Sequence, residues 1–470
     1  MSKLRLAKIA MGLALASAPA LAQTYSVLYN FGSASGDPTN PRFSGLIAQS
    51  RRGYLFSTAD DRWTDGLGTA FRITPGGSLT VLHHFNGTDG QAPVGGLSLG
   101  TNGIYYGTTE SGGEYGYGTI FKITADGKLI TLYSFTGGAD GGFPSAPPIQ
   151  GIDGNFYGTT AGGGGNNGSV YRITPSGRFT LLHSFADIDG ATPYAPLVQG
   201  TDGNFYGTTA YGGTNYLGTI FRIKSSGKFE VLFNFDGTHG SNPYAPLIQG
   251  RDGTFYGVAL GGGSAGGGVA FKMAPRGRLT VLHDFTGGSD GNNEVGGLTQ
   301  ATDGNFYGTN NLGGTYNWGV LFRITPSGIF TVLHDFHWNS GASPQATLLQ
   351  HTNGVLYGDT AVGGTAGDGA FYSLDLSLAP FVTFMPAARG IGKRVEVFGQ
   401  GFAGTSAVSL NGTAAKFTVV SDTYLVAIVP NGATSGFITV NTPSGTLKSN
   451  KKFLVRPFHD CLAGRDCARR

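Results

Sequence analysis

The chain has 470 residues, 82 of them glycine, and only 13% of its side chains are charged. With the basic leader residues Lys3, Arg5 and Lys8 set aside, 28 basic residues face 28 acidic ones, which excludes the electrostatic footprint of a nucleic-acid binder and general adhesion to anionic membranes. An aromatic content of 12% excludes a disordered low-complexity chain and suits short strands joined by tight turns.

Residues 1–22 read as a signal peptide: a basic start, an apolar run from Ile9 to Leu15, and the cleavage site Ala20-Leu21-Ala22 before Gln23. No later run reaches the about 18 apolar residues of a membrane span. The mature protein is therefore expected to be secreted, periplasmic or on the cell surface of a bacterium, with no integral span after cleavage.

From residue 23 to 378 a unit of about 50 residues repeats. Its hallmark is DGNFYGTT at Asp202–Thr209, recurring from Asp153, Asp303, Asp252, Asn102 and Asn353, with a worn copy from Gly53. The aromatic in fifth place falls at Phe56, Tyr106, Tyr157, Tyr206, Tyr256, Tyr307 and Tyr357. Seven copies at a fixed period mean stacked supersecondary units. Each holds four apolar runs separated by Gly-bearing turns; the set around the hallmark of the fourth is APLVQG, NFYGTT, GTIFRI and FEVLFNF, from Ala195 to Phe235. Four antiparallel strands repeated radially predict a β-propeller of seven blades. The chain starts on a fourth-strand sequence, Tyr25–Phe31, and the last unit stops after its third, Gly369–Asp375. That phase predicts closure by the N-terminal strand, which would remove an exposed sheet edge.

Recurrent His83, His183, His283 and His334 share their place with Tyr29, Tyr133 and Phe233, so packing rather than metal ligation is expected there. The third-strand bases, from Arg72 to Arg323, are expected to lie along a sheet face with their heads in water. The Asp-Gly pairs satisfy turn geometry without calcium.

In such a meander the two-three and four-one loops share one face, and here they are the long, variable ones. Trp63, Tyr115, Tyr117, Tyr211, Tyr216, Tyr316 and Trp318 stand in the two-three loops among Gly, Asn and Thr, equipment for stacking on a glycan or gripping a protein surface. Folding back as plugs over the sheets is the alternative. The loop acids Asp60, Asp61, Asp65, Glu110, Glu114, Asp359 and Asp368 could supply an acid–base pair, though scattered acids in solvated loops are the default.

Residues 379–456 abandon the repeat for seven alternating runs, the pattern of an Ig-like β-sandwich. The tail, 457–470, is basic and carries both cysteines, Cys461 and Cys467, which an oxidising compartment would join in a disulfide.

The repeated FTVLHDF…DGNFYGT…GTIFRITPSG resembles the GloVer (Gloeobacter/Verrucomicrobia-type) tandem repeat of exported bacterial proteins with varied C-terminal anchors. VEVFGQGF (Val395–Phe402), the segment Ala407–Pro430 and GFITVNTPSG (Gly436–Gly445) resemble an IPT/TIG domain. The resemblance implies an extracellular Ig-like fold without a catalytic role and maps no active site here. The ending CLAGRDCARR has no apolar tail or sorting signal, which departs from that family's habit.

These readings converge on an exported, monomeric, non-catalytic binding or scaffold protein, without cofactor or metal. Its ligand, a glycan or an envelope protein, would lie on the long-loop face. A polysaccharide lyase or hydrolase and a purely structural cell-surface protein are the alternatives.

Overall fold

The computed structural model describes residues 23–41, 46–61, 66–163, 167–293 and 296–456. The expected signal peptide, Trp63, Asp65 and the two cysteines lie outside these residues.

The described chain is all-β and propeller-like, with a single short 3-10 turn at Trp338–Ser340. Units 1 to 6 each form a four-stranded antiparallel sheet in strand order one to four. In unit 4 the strands are Val198–Gln199, Phe205–Thr209, Thr219–Ile223 and Phe229–Asn234. The second strand is buried along its whole length and the third all but its Arg222, which is why both read as nearly unbroken apolar and small residues. The hallmark glycine sits where no side chain fits: a Cβ on Gly207 would lie 2.5 Å from the Phe221 ring tip. Each fourth strand slips by a bulge against the third, between Ile220 and Phe221 in unit 4, which adds twist at the outer edge.

The hallmark turn is held by one carboxylate. Asp202 accepts from the Asn204 backbone N–H at 3.1 Å, from its amide at 2.6 Å and from the Tyr206 hydroxyl at 2.8 Å. The same hydroxyl bond recurs at Asp153–Tyr157, Asp252–Tyr256 and Asp303–Tyr307. In unit 2 the pair becomes Asn102 and Tyr106; in unit 1 Arg52 and Phe56 replace both partners.

Neighbouring sheets are joined by two aromatic ladders. Second-strand rings stack from unit to unit: Phe56 on Tyr105, Tyr106 on Phe156, Tyr157 on Phe205 and Tyr256 on Phe306, all at 3.7 to 4.0 Å. Fourth-strand rings do the same at Tyr133–Phe179, His183–Phe229 and His283–Phe330. Each such pair adds about 1 kcal/mol beyond its buried area. The recurrent histidines are thus packing groups, as expected. His83, His183 and His283 also bond to Asp89, Asp189 and Asp290 of the following loop, a pairing the sequence reading missed.

In the last unit, Ala370–Asp375 pairs antiparallel with Thr24–Asn30, from Thr24 opposite Asp375 to Asn30 opposite Ala370, with a bulge like that of the other fourth strands. One core cluster contains Phe31, Tyr357 and Phe371 together with Ile47, Leu55 and Phe71 of unit 1. First-strand residues of six units, Ala48, Leu99, Val198, Ile248, Thr299 and Leu349, line one cavity of about 450 Å³ with Phe381 and Phe384 of the C-terminal region.

That region forms two four-stranded antiparallel sheets over a core containing Val395, Val397, Leu425, Val408, Ile438 and Val440. Three short strands escaped the sequence reading: Ala388–Gly390, Thr413–Ala414 and Gly445–Lys448. The region is joined to the repeat array by polar contacts. It seats on the short-turn side, through Arg51 to Glu396 at 2.7 Å, Thr423 to the Arg51 carbonyl at 2.7 Å and Arg251 to the Asn450 carbonyl at 2.7 Å.

Candidate functional site

The long loops of adjacent units are tied to one another on a single side. Isolated bridges join Gln91 to Ser111, Gly142 to Gly162, Ala191 to Tyr211, Ser241 to Gly261 and Asn292 to Leu312, each pairing a four-one loop with the two-three loop of the next unit. At the knot of each four-one loop stands a residue with positive φ: Asn40, Ala92, Phe143, Thr192, Asn242, Asn293 and Ser343, all between 48° and 63°. Thr192 shows why. Its N–H donates to Asn167 O at 2.8 Å in the preceding two-three loop, and its carbonyl accepts from Ala210 N at 3.1 Å in the following one. Repeated around the units, this clamp holds long loops in one conformation and gives their side chains fixed positions.

Aromatic rings of these loops form clusters. Tyr194 and Tyr244, which precede Ala-Pro-Leu at the head of successive first strands, stack at 4.9 Å with 12° between their planes. Tyr211 stands edge-on to Tyr244 at 6.1 Å, and their hydroxyls are hydrogen-bonded. Burial, followed by the neighbouring tyrosines, pushes the Tyr244 hydroxyl well above its ordinary range; burial, Tyr211 and Glu110 raise that of Tyr194. These phenols stay neutral donors at any ordinary pH. Tyr117 meets Phe143 edge-on at 5.5 Å, Tyr316 meets His337, and Trp318 meets Trp338 at 5.0 Å.

Of the expected ligand-binding residues, Tyr115, Tyr117, Tyr211, Tyr216 and Tyr316 are exposed, and Tyr216 the most, at 69%. Trp318 is instead half-buried against the core of units 6 and 7, where it acts as the plug that was the alternative reading. Tyr117, Tyr211, Tyr316 and Trp318 gain aromatic neighbours from loops the sequence reading passed over; for Tyr211 the signal was the repeated PYAPL at Tyr194 and Tyr244.

The loop acids are not uniformly solvated, a correction to the default reading. Asp60, Asp61 and Asp359 are buried. Asp61 accepts from Thr39 N at 2.6 Å, from the Thr39 hydroxyl at 3.1 Å and from the Thr69 hydroxyl. Burial raises its pKa against these bonds. These bonds tie the two-three loop of unit 1 to the loop before that unit and to its third strand. Among the described residues no group of three or more His, Cys, Asp or Glu converges to hold a metal ion.

The model of the Gloeobacter/Verrucomicrobia repeat matches residues 42–251 and 197–415. The chain belongs to the Gloeobacter/Verrucomicrobia repeat family. No curated protein matches this repeat protein. Among solved structures it is similar to the extracellular domain of a one-component system of B. thetaiotaomicron, at 11% identity and TM-score 0.48, covering 90% of this chain and 58% of that one. The extracellular domain of a hybrid two-component system of the same organism gives 10% and 0.48, covering 92% and 57%. A gluconolactonase of Xanthomonas campestris gives 11% and 0.39, covering 70% and 97%. The repeat protein thus spans somewhat over half the length of the two sensor domains. Among its described residues no helix is long and apolar enough to cross a membrane.

Proposed function

We propose that this is an exported, non-catalytic binding protein, built as a closed seven-bladed propeller, whose long-loop face takes a neutral glycan. The closed circle is supported by the pairing of Thr24–Asn30 with Ala370–Asp375 and by first strands of six units around one cavity. The C-terminal region, read as an Ig-like IPT/TIG sandwich, sits on part of the short-turn side, opposite the loop face proposed for this ligand.

The observation that carries the reading is the Tyr194–Tyr244–Tyr211 cluster on loops clamped by positive-φ residues. Stacked phenols held in place present a flat apolar surface with neutral hydroxyl donors, which suits the face and hydroxyls of a pyranose. No charged group is needed, in keeping with the balanced charge of the mature chain. Tyr115, Tyr117, Tyr216 and Tyr316 extend the surface around the face.

A glycan array probed with wild type and with Tyr211→Ala/Tyr244→Ala tests this. A neutral glycan bound by wild type and weakened at least about tenfold in the variant, with circular dichroism unchanged, supports it; about 1.4 kcal/mol is at stake in that factor. A neutral glycan held equally by both proteins, or by neither, overturns it. Turnover of a polysaccharide by the pure protein, lost in Glu114→Gln, would replace binding by catalysis.

A further inference from the structure

The repeats serve as one another's controls, and unit 1 departs from them in a patterned way. Units 3, 4 and 6 read Asp-Gly-Asn-Phe-Tyr in the hallmark turn, whereas unit 1 reads Arg52-Gly53-Tyr54-Leu55-Phe56. Next door, unit 2 has Tyr105 where those units have Phe. Four of the departures, Arg52, Tyr54, Phe56 and Tyr105, line one cleft of about 660 Å³ between units 1 and 2, on the short-turn side and away from the loop face.

The substitutions rewrite the electrostatics of that cleft. In units 3 and 4 the third-strand arginines, Arg172 and Arg222, stand near the hydroxyls of Tyr157 and Tyr206, which donate to Asp153 and Asp202. Arg222 is also paired with Glu230, and Arg172 bonds the Thr180 hydroxyl at 3.4 Å. Arg72, their counterpart in unit 1, finds Phe56 without a hydroxyl and a second arginine in place of the acid. It lies over the Tyr54 ring at 5.4 Å and makes one long bond, 3.5 Å, to the Ala125 carbonyl. Among the described residues the exposed Arg52 guanidinium has no hydrogen-bond or ion-pair partner. Arg51 is occupied by Glu396, and the acid at the rim, Asp126, is bonded to Thr124. The Tyr105 hydroxyl, near Ser50, adds a neutral donor to the floor, and burial keeps it protonated.

We propose that this cleft is a second binding site, specific for an acidic sugar whose carboxylate or phosphate sits between Arg52 and Arg72. Guanidinium groups recognise both oxyanions through paired N–H donors, and the volume is that of an ordinary small-ligand pocket. The site is independent of the loop face and of the reading proposed for it.

The variant Arg52→Asp/Tyr54→Asn/Phe56→Tyr tests the proposal without jeopardising the fold, because it writes into unit 1 the turn that units 3, 4 and 6 already carry. Calorimetric titration of wild type with trigalacturonate and with glucose 1-phosphate separates the two oxyanions, and maltotriose is the neutral control. At least one acidic ligand is expected to bind, maltotriose not to bind here, and the variant to lose affinity at least tenfold with an unchanged or higher Tm. Arg52→Gln alone, at an exposed position, should lose affinity in the same direction, while Tyr211→Ala/Tyr244→Ala should leave it unchanged. Acidic ligands held equally by wild type and the turn variant, or bound by neither at millimolar concentration, would overturn the assignment.

Discussion

Tyr25, in the first strand of the described chain, stacks on His334 of unit 6 at 3.7 Å with only 5° between the rings. This is the contact that Phe179, Phe229 and Phe330 make with the fourth-strand ring of the unit before them. The hydroxyl also donates to Ser340 O at 2.6 Å. Tyr25→Ala is expected to destabilise the protein by about 2–3 kcal/mol, below the range for a fully buried ring, since a partly buried, stacked ring is removed. Tyr25→Phe keeps the stack and should cost about 1 kcal/mol for the lost hydrogen bond. Urea denaturation of both variants measures the difference; Tyr25→Ala unfolding at the wild-type midpoint would refute a closing role for this strand.

His334 also sets a pH dependence. Burial, reinforced by His337 and opposed by Asp335, pushes its pKa down from 6.5 to about 4. As pH falls below 6.5 the unfolded chain takes up a proton that the folded chain refuses until about pH 4. Stability is therefore full above 6.5 and declines through that window. Burial shifts His183 and His351 in the same direction. His334→Phe, which copies Phe233 of unit 4, should retain the stack on Tyr25 and flatten the fall in Tm between pH 7 and 4.5. An unchanged slope in the variant would assign the acid sensitivity to other groups.

The clamp residues of the loop face differ in how well they tolerate their backbone. Thr192 holds φ at 56°, where a β-branched side chain crowds the backbone, while Asn40, Asn242 and Asn293 occupy the same place comfortably. Thr192→Asn is expected to raise stability by about 1 kcal/mol, and Asn242→Thr to lower it by a similar amount. Thermal melts of the two variants should move in opposite directions; movement in the same direction would show that side-chain contacts, not φ, decide the position.

The periodic part of the fold was legible because every unit repeats its burial pattern and turn chemistry, so seven weak signals reinforced one another. The phase of Tyr25–Phe31 was legible for the same reason: it matches a fourth strand and nothing else. The Asp202–Tyr206 bond explains in retrospect why acid and tyrosine keep a four-residue spacing, and why Arg52 and Phe56 changed together. What escaped reading depends on contacts between loops far apart in sequence. Tyr244 meets Tyr211 across a whole hairpin, and Trp318 turns inward because Trp338 and the unit 7 core are there to receive it. The burial of Asp61 was hidden likewise, since Thr39, its partner, belongs to the loop before unit 1.

The pairing of Thr24–Asn30 with Ala370–Asp375 also bears on the order of folding. The strand synthesised first waits for one of the last strands of the repeat array, so its edge stays unsatisfied while the intervening hairpins form locally. Contacts of such sequence separation are slow to make, because the whole intervening chain must be ordered before they repay its entropy. In the closed ring proposed above the same pairing would act as a latch: a unit in the middle could not peel away without straining both neighbours, and the route to unfolding would run through release of one strand. Lifetime of the folded protein would then be governed by how seldom that strand lets go, rather than by the summed stability of the units.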